Sequence, residues 1–387
     1  MIDMIDMIEK EKSVARYQPV GADCEQPMQI FNANIISESE QEINFSEEKL
    51  DELLKEIERK TDPNRLNTMS MTELYDRTYP GKPPIIDGFL YPGTYLFAGA
   101  PKVGKSFFMG QLAYHVSTGQ KLWGYEVHQC EVLYLALEDD YRRLQDRMFR
   151  MFGVEGSDHL HFAVVARQLG QGLDEQLERF LKDYPNTRLI IIDTLQKVRE
   201  VGGDTYSYAN DYDIIGRMKR FADQHKICLL LVHHTRKQPA GDKFEMISGT
   251  NGLLGCADGA FLLHKERRTD TNAILEIVGR DQEDQTLYLQ RDLDRLIWNY
   301  DRSETERRAK QIDPLLRKID RFLSEGNDLW KGSAAELTAL LGEEIQPNIL
   351  TRKLNVLVSD LLNEFAIEYK AERNRNGCCI SLTRLKQ

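Results

Sequence analysis

From Tyr91 onward the chain alternates near-continuous apolar runs with stretches whose apolar residues recur at helical spacing. The apolar runs are 95–99, 132–137, 189–193 and 227–232. Helical patterns occupy 106–118, a mixed region after 137, and 212–224. A strand that is apolar at every position is buried on both faces, so the pattern predicts an α/β core with a mainly parallel sheet covered by helices on either side. Residues 259–264, 273–278 and 285–290 predict further strands, a hairpin-like extension of that sheet.

The flanks read differently. Residues 1–43 are polar and without period, which predicts a flexible arm. In 45–60, Leu50, Leu53, Leu54 and Ile57 share one helical face opposite Glu and Lys residues. That stripe fits a helix packed on its own core or a linker helix docked on a neighbouring subunit. Ser70 and Glu73 match a capping box, and Pro80, Pro83, Pro84 and Gly88 mark an extended passage into the core. Residues 303–325 predict a charged connecting helix that Pro314 should break or kink. The expected organisation is an arm over 1–70, an α/β domain over 71–300, a connecting segment over 301–330 and a small C-terminal domain over 331–387.

Composition narrows the class. Hydrophobic residues make up 41% of the 387 and charged residues 29%, ordinary globular usage. The net charge of −11 gives no global attraction to nucleic acid, so contact with DNA has to come from local basic loops. Six cysteines show neither metal-ligand spacing nor the density of a disulfide scaffold, and no apolar stretch approaches membrane-spanning length. The expectation is a cytoplasmic protein with no membrane partner.

The most specific chemistry is Gly99-Ala100-Pro101-Lys102-Val103-Gly104-Lys105-Ser106, followed by Phe107, set between an apolar strand and a helix. It matches G-x-x-x-x-G-K-[ST]: backbone N–H groups wrap the phosphates of ATP, Lys105 supplies charge to the β and γ phosphates, and Ser106 ligates Mg²⁺. The 189–193 strand ends in Asp193, where open α/β sheets place their ligand crevice, and Asp193 is the second expected Mg²⁺ residue. Thr194 rather than a Glu follows it, so the water-activating carboxylate has to come from elsewhere. Glu138, at the end of the 132–137 strand, is the candidate base, whereas Asp139 and Asp140 fit better as a solvated cap on the next helix. The 227–232 strand ends in His233 and His234, with His234 favoured as the γ-phosphate sensor.

Together these segments resemble the RecA-like ATPases of the plasmid RepA replicative helicase type, a group of hexameric helicases and mobile-element ATPases. The resemblance spans about residues 84–300. It rests on 98–106, on 132–139 with the following Arg142-Arg-Leu-Gln-Asp-Arg147, on 189–194 and on 232–237. It implies a RecA-like P-loop core, a homo-oligomeric ring, and roles for Lys105, Ser106, Glu138, Asp193 and His234. The departure is the arginine finger. After Asp258 the sequence has Phe261-Leu-Leu-His264 with no Arg; Arg280 resembles the strand-end finger of DnaB-like rings, with Arg267 and Arg268 as alternatives.

In such motors the loops after the Asp193 and His234 strands face a central channel. Here they offer Lys197 and Arg199, then Arg236, Lys237 and Lys243, for phosphate contacts along single-stranded DNA. In the C-terminal segment, Ser333 and Glu336 cap one short helix. Pro347 opens a second carrying Leu350, Leu354, Leu357 and Leu361, and β-prone stretches 367–370 and 378–382 follow, joined by a basic turn at 373–377. The order resembles a winged helix, with Asn348, Thr351, Arg352 and Asn355 facing a major groove and Arg373 and Arg375 in the wing. A protein-binding winged helix is the competing reading, since acidic and basic residues nearly balance there. For the whole chain the expectation is an ATP-dependent DNA helicase or translocase of a plasmid, phage or mobile element, or alternatively a DNA-associated ATPase that does not unwind.

Overall fold

Parallel pairing of near-continuously apolar strands organises the larger part of the molecule. The structure is a computed structural model that describes residues 64, 66, 68–81, 83–199, 208–235, 243–247, 251–280, 282–304, 312–325, 328–374 and 377–385. The expected arm and the 45–60 helix lie outside the described residues. Every element below belongs to the unit Ser70–Gln387.

Nine strands form one sheet in the order β3-β2-β4-β5-β1-β6-β7-β8-β9. These are β1 Gly93–Gly99, β2 Glu131–Ala136, β3 Leu160–Ala163, β4 Thr187–Asp193, β5 Cys228–His234, β6 Gly259–His264, β7 Asn272–Gly279, β8 Gln285–Arg291 and β9 Trp298–Ser303. Pairing from β3 through to β6 is parallel, and β7, β8 and β9 add on antiparallel. Successive side chains on a strand point to opposite faces, so β4 divides its apolar run between two cores. Leu189 and Ile191 pack with helix α2 (Lys105–Thr118) on one face, whereas Ile190 and Ile192 face α4 (Leu173–Asp183) and α6 (Tyr208–His225) on the other. Both faces exclude water, which is why the strand carries no polar alternation. The architecture is the mainly parallel, helix-covered α/β core expected of a RecA-like P-loop domain.

Short helices fill the crossovers: α1 Met71–Tyr75 precedes the sheet, α3 Tyr141–Phe152 follows β2, and α5 Leu195–Val198 and α7 Asn251–Cys256 follow β4 and β5. Ser70 and Glu73 form their capping box at the start of α1. Among the described residues no helix is long and apolar enough to cross a membrane.

The C-terminal part is a second, smaller core. Helix α8 Pro314–Glu325 leads to β10 Leu329–Ser333, α9 Ala334–Leu340, α10 Pro347–Val356, α11 Val358–Phe365, β11 Ile367–Asn374 and β12 Gly377–Arg384, with an antiparallel sheet ordered β10-β12-β11. Leu316, Ile319, Leu337, Leu350, Leu354, Leu361, Ile380 and Leu382 make up its interior. Two expectations change here. The helix expected over 303–325 starts only at Pro314, because Ser303 still pairs in β9 and proline tolerates only a first helical turn. The leucine stripe from 350 to 361 is carried by two helices, α10 and α11, meeting at Leu357, so helical spacing survives in each half but not across the junction.

Candidate active site

The carboxyl ends of four adjacent strands lie level. Gly99 of β1 pairs with His234 of β5, and Ala136 of β2 pairs with Asp193 of β4. The register therefore carries the P-loop, Asp193, His234 and the residues just beyond β2 to one sheet edge, where such sheets take their ligands. Gly99 fits because a side chain there would collide with the Leu263 carbonyl of β6. Gly104 adopts φ 111°, a backbone state that other residues rarely reach, and it is the N-cap of α2, whose first amides have no side-chain cap there.

Lys105 stands at the centre. Its Nζ donates to the carbonyls of Gly99 at 2.9 Å and Ala100 at 3.1 Å, and lies 3.1 Å from Nδ1 of His234. An ammonium has no lone pair, so the imidazole nitrogen accepts and His234 is neutral at that atom. Burial depresses the Lys105 pKa to about 8 against the pull of Asp193 and Glu138. Burial, then the Lys105 charge, likewise lowers His234. His233 is the buried partner of the pair, on the opposite side of the strand.

Asp193 is 4% exposed, and burial raises its pKa against the opposing hydrogen bonds of Ser106 and Tyr134. Tyr134, on β2, donates from its hydroxyl to Asp193 Oδ2 at 2.9 Å. Glu138 sits in the turn after β2, with Thr194 Oγ1 3.3 Å from its Oε1. The two aspartates after it divide: Asp140 caps α3 by accepting from the Arg143 amide, whereas the Asp139 side chain is 6% exposed and held by two guanidinium nitrogens of Arg147. Only Asp140 is the solvated cap that the sequence suggests for both.

The oxygen set of Ser106 and Asp193, with Glu138 close by, fits Mg²⁺, a hard cation that prefers oxygen ligands. The loop, its lysine and the helix N-terminus fit a nucleoside polyphosphate.

A second group borders the loop from the sheet extension. Arg291, ending β8, stacks on the Phe107 ring at 4.3 Å and on the Trp298 ring at 4.9 Å. A Cβ on Gly104 would collide with the Arg291 guanidinium and the Trp298 indole. Gln111 of α2 bolts β9 in place: its amide donates to the Trp298 carbonyl at 2.9 Å and accepts from the Trp298 N–H at 2.8 Å. Burial, with Arg150 and Arg147 nearby, pushes the Arg291 pKa down to about 10, and its buried Nε has no hydrogen-bond partner. Sequence reasoning missed Arg291, Trp298, Tyr134 and Thr194 as site residues. Arg291, Trp298 and Tyr134 meet the loop and Asp193 only through strand pairing, and Thr194, adjacent to Asp193, gains its partner Glu138 the same way.

The remaining expected residues lie elsewhere. Arg280, just past β7, is exposed, bonds the Gly255 carbonyl at 2.8 Å, and lies at the sheet edge opposite the P-loop, because β7 runs antiparallel to β6. Arg267 and Arg268 are exposed in the β6–β7 turn. Lys197 is exposed at the end of α5, followed by a half-buried Arg199. Lys243 pairs with Glu276, which also bonds His264. Arg236, Lys237 and Arg375 are outside the described residues, as is the Arg373 side chain.

The α10 face is occupied by the chain itself. Arg352 pairs with Asp76 at 2.8 Å, and Asn355, 2% exposed, donates to the Tyr75 carbonyl and accepts from the Tyr369 hydroxyl. The Gly81 amide donates to Ser359 Oγ on α11. In this arrangement Arg352 and Asn355 are engaged with the segment 70–81.

Residues 61–240 match a family model described as an AAA domain. Among solved structures the chain is similar to a DnaB-like replicative helicase, described with its interactions with primase, at 16% identity and a TM-score of 0.48 over 65% of this chain and 71% of that one. It is also similar to a solved ATPase domain at 16% identity and a TM-score of 0.46 over 66% and 98%. A KaiC-like protein from the hyperthermophilic archaeon Pyrococcus horikoshii OT3 aligns at 14% identity and a TM-score of 0.40 over 58% and 99%. No curated protein matches in sequence. The strand order and parallel register by themselves make this a RecA-like α/β core. The AAA-domain match over residues 61–240 and the P-loop geometry support an ATP-hydrolysing P-loop enzyme.

Proposed function

We propose that the chain is an ATP-driven DNA helicase or translocase of the RepA and DnaB type, working as a homo-oligomeric ring on single-stranded DNA. The observation that carries this reading is the convergence of Glu138, Asp193 and His234 on Lys105, three strand ends around one P-loop amine. That constellation suits a motor that must sense the terminal phosphate as well as bind it.

In this reading the loop amides and Lys105 hold the phosphates, and Lys105 exchanges its two loop carbonyls for phosphate oxygens. Ser106 and Asp193 hold Mg²⁺, which when bound neutralises charge on the β and γ phosphates. Glu138 orients and deprotonates the attacking water, and neutral His234 reports the terminal phosphate to the loop after β5. Arg291, with Phe107 and Trp298, receives the part of the nucleotide leading away from the terminal phosphate. Arg280, too far across the sheet to serve its own site, acts as the arginine finger for a neighbouring copy, with Arg267 and Arg268 as alternatives. Lys197, Arg199, Arg236, Lys237 and Lys243 line the channel loops. The C-terminal part is a winged helix whose wing, with Arg373 and Arg375, touches DNA phosphates. A plasmid, phage or mobile element is the expected setting, and the cytoplasm the expected location.

A DNA-associated ATPase that does not unwind is the second reading, favoured by the occupied α10 face, which leaves less of the C-terminal domain open to duplex. Strand displacement on forked DNA tests the first against the second. ATP-dependent unwinding by the wild-type chain, lost in Lys105→Ala, supports the helicase. DNA-stimulated hydrolysis without displacement replaces it with the second.

A further inference from the structure

Two hydroxyls cross between neighbouring strands at the candidate site, each reaching the acid that the other strand carries. Tyr134 belongs to β2, the strand that leads to Glu138, yet it bonds Asp193 of β4. Thr194 follows β4 directly, yet its hydroxyl is turned towards Glu138 beyond β2.

Neither hydroxyl is explained by packing. Tyr134 is 1% exposed among apolar neighbours, including Val132 and Ala136 on the same strand face, where phenylalanine would fill the space. A hydroxyl taken out of water is costly unless bonded, and here the bond is to the carboxylate at 2.9 Å, with the Ser106 carbonyl a longer 3.4 Å away. Thr194 occupies the N-cap of α5, a position where a threonine side chain ordinarily bonds the helix amides. It makes no such bond, and at 1% exposure it reaches no bulk water. Its carbonyl accepts from the Lys197 amide, which leaves the hydroxyl for Glu138. The pairing of Ala136 with Asp193 makes the crossing geometrically available.

We propose that Tyr134 and Thr194 are positioning residues that form a crossed brace, Tyr134 orienting Asp193 for the divalent cation and Thr194 orienting Glu138 for water activation. This rests on the ATPase reading above. The brace separates metal binding from turnover: Tyr134 acts on the first and Thr194 on the second. Carboxylates that hold a metal depend on hydrogen bonds from behind to keep their lone pairs aimed.

The test uses the full chain, with nucleotide binding followed by a fluorescent ADP analogue titrated with Mg²⁺, and steady-state ATP hydrolysis measured separately. Tyr134→Phe should raise the Mg²⁺ concentration needed for half-maximal nucleotide binding about ten- to a hundredfold, while binding in excess chelator stays as in wild type. Thr194→Val should leave the Mg²⁺ titration and KM unchanged and lower kcat about tenfold or more, and Thr194→Ser should restore it. Thr194→Ala accompanies the valine variant, so that steric misfolding of one does not decide the result, and thermal melts check all four. Folded Tyr134→Phe with a wild-type Mg²⁺ titration, or folded Thr194→Val and Thr194→Ala with wild-type kcat, overturns the brace. A wild-type chain that binds no Mg²⁺-nucleotide overturns the ATPase reading itself, a result distinguishable from failure of the brace because it appears before any substitution is made.

Discussion

The nucleotide edge of the large sheet and the α10 face of the C-terminal domain both gather polar residues, yet they treat them in opposite ways. At the sheet edge, Lys105 and Asp193 are drawn together at a cost in desolvation, visible in the depressed lysine and the raised aspartate, with Glu138 beside them. The bonds that Lys105 makes to the loop carbonyls of Gly99 and Ala100 are ones that a phosphate would replace. On the α10 face, Asn355 is satisfied on both sides of its amide and Arg352 has its carboxylate, so these two are held by the chain itself. A polar pattern on a helix marks a binding surface only where the fold leaves its hydrogen-bonding capacity open. Burial with strained electrostatics is the sign of a site, and burial with satisfied bonds is the sign of an internal joint.

The comparison is most strongly tested at the acid. Glu138→Gln keeps the shape of the side chain and removes its basicity, so turnover should fall by about 10²–10⁴-fold while nucleotide affinity is nearly unchanged, as read by phosphate release beside equilibrium binding. Next comes Lys105→Ala, which should cost about 10²–10³-fold in hydrolysis, the scale of one preorganised electrostatic donor. Because the ammonium is buried at a cost, the same variant should melt no lower than wild type, and a large loss of stability would mean that Lys105 is structural.

Arg291→Ala should weaken nucleotide binding by roughly tenfold or more, the worth of a charge-assisted contact, with kcat at saturation little changed. An unchanged dissociation constant would reduce Arg291 to a packing residue on Phe107 and Trp298.

The α10 face should give smaller effects, and on stability rather than turnover. Asn355→Ala leaves the buried Tyr369 hydroxyl with only the Thr351 carbonyl at 3.5 Å and should destabilise the C-terminal domain by about 1–3 kcal/mol in a denaturant melt, with ATPase activity retained. Asp76→Ala removes only a half-exposed ion pair and should cost under about 1 kcal/mol. If Asp76→Ala instead raises affinity for duplex DNA, the contact is a releasable cover over a DNA-binding face, and the contrast between the two regions narrows.

The parts of the site that were legible in the sequence are the contiguous ones. A strand, a glycine-rich turn and a helix start within 93–118 specify the P-loop by local chemistry, and the apolar runs ending in Asp193 and His234 announce buried parallel strands whose carboxyl ends carry function. The capping boxes at Ser70 and Ser333 are equally local, each needing a span of four residues. Where the expectation failed, a local pattern spanned a tertiary break: the leucine spacing through Leu357 continues as arithmetic while the helix does not.

What only the tertiary structure decided is which distant groups share a hydrogen bond. Tyr134 meets Asp193 because β2 and β4 pair with Ala136 opposite Asp193. Arg291 covers Gly104 because Gln111 pins β9 from 187 residues away in the chain, and Asn355 is closed by Tyr75 from 280 residues away. In the linear sequence these are an aromatic in an apolar strand, an arginine at a strand end and an asparagine on a helix, each with many ordinary uses. Residue type and spacing set the local element, because backbone sterics and apolar burial act over a few residues. The partner of a polar group is set by strand register and helix docking, which depend on the packing of the whole core.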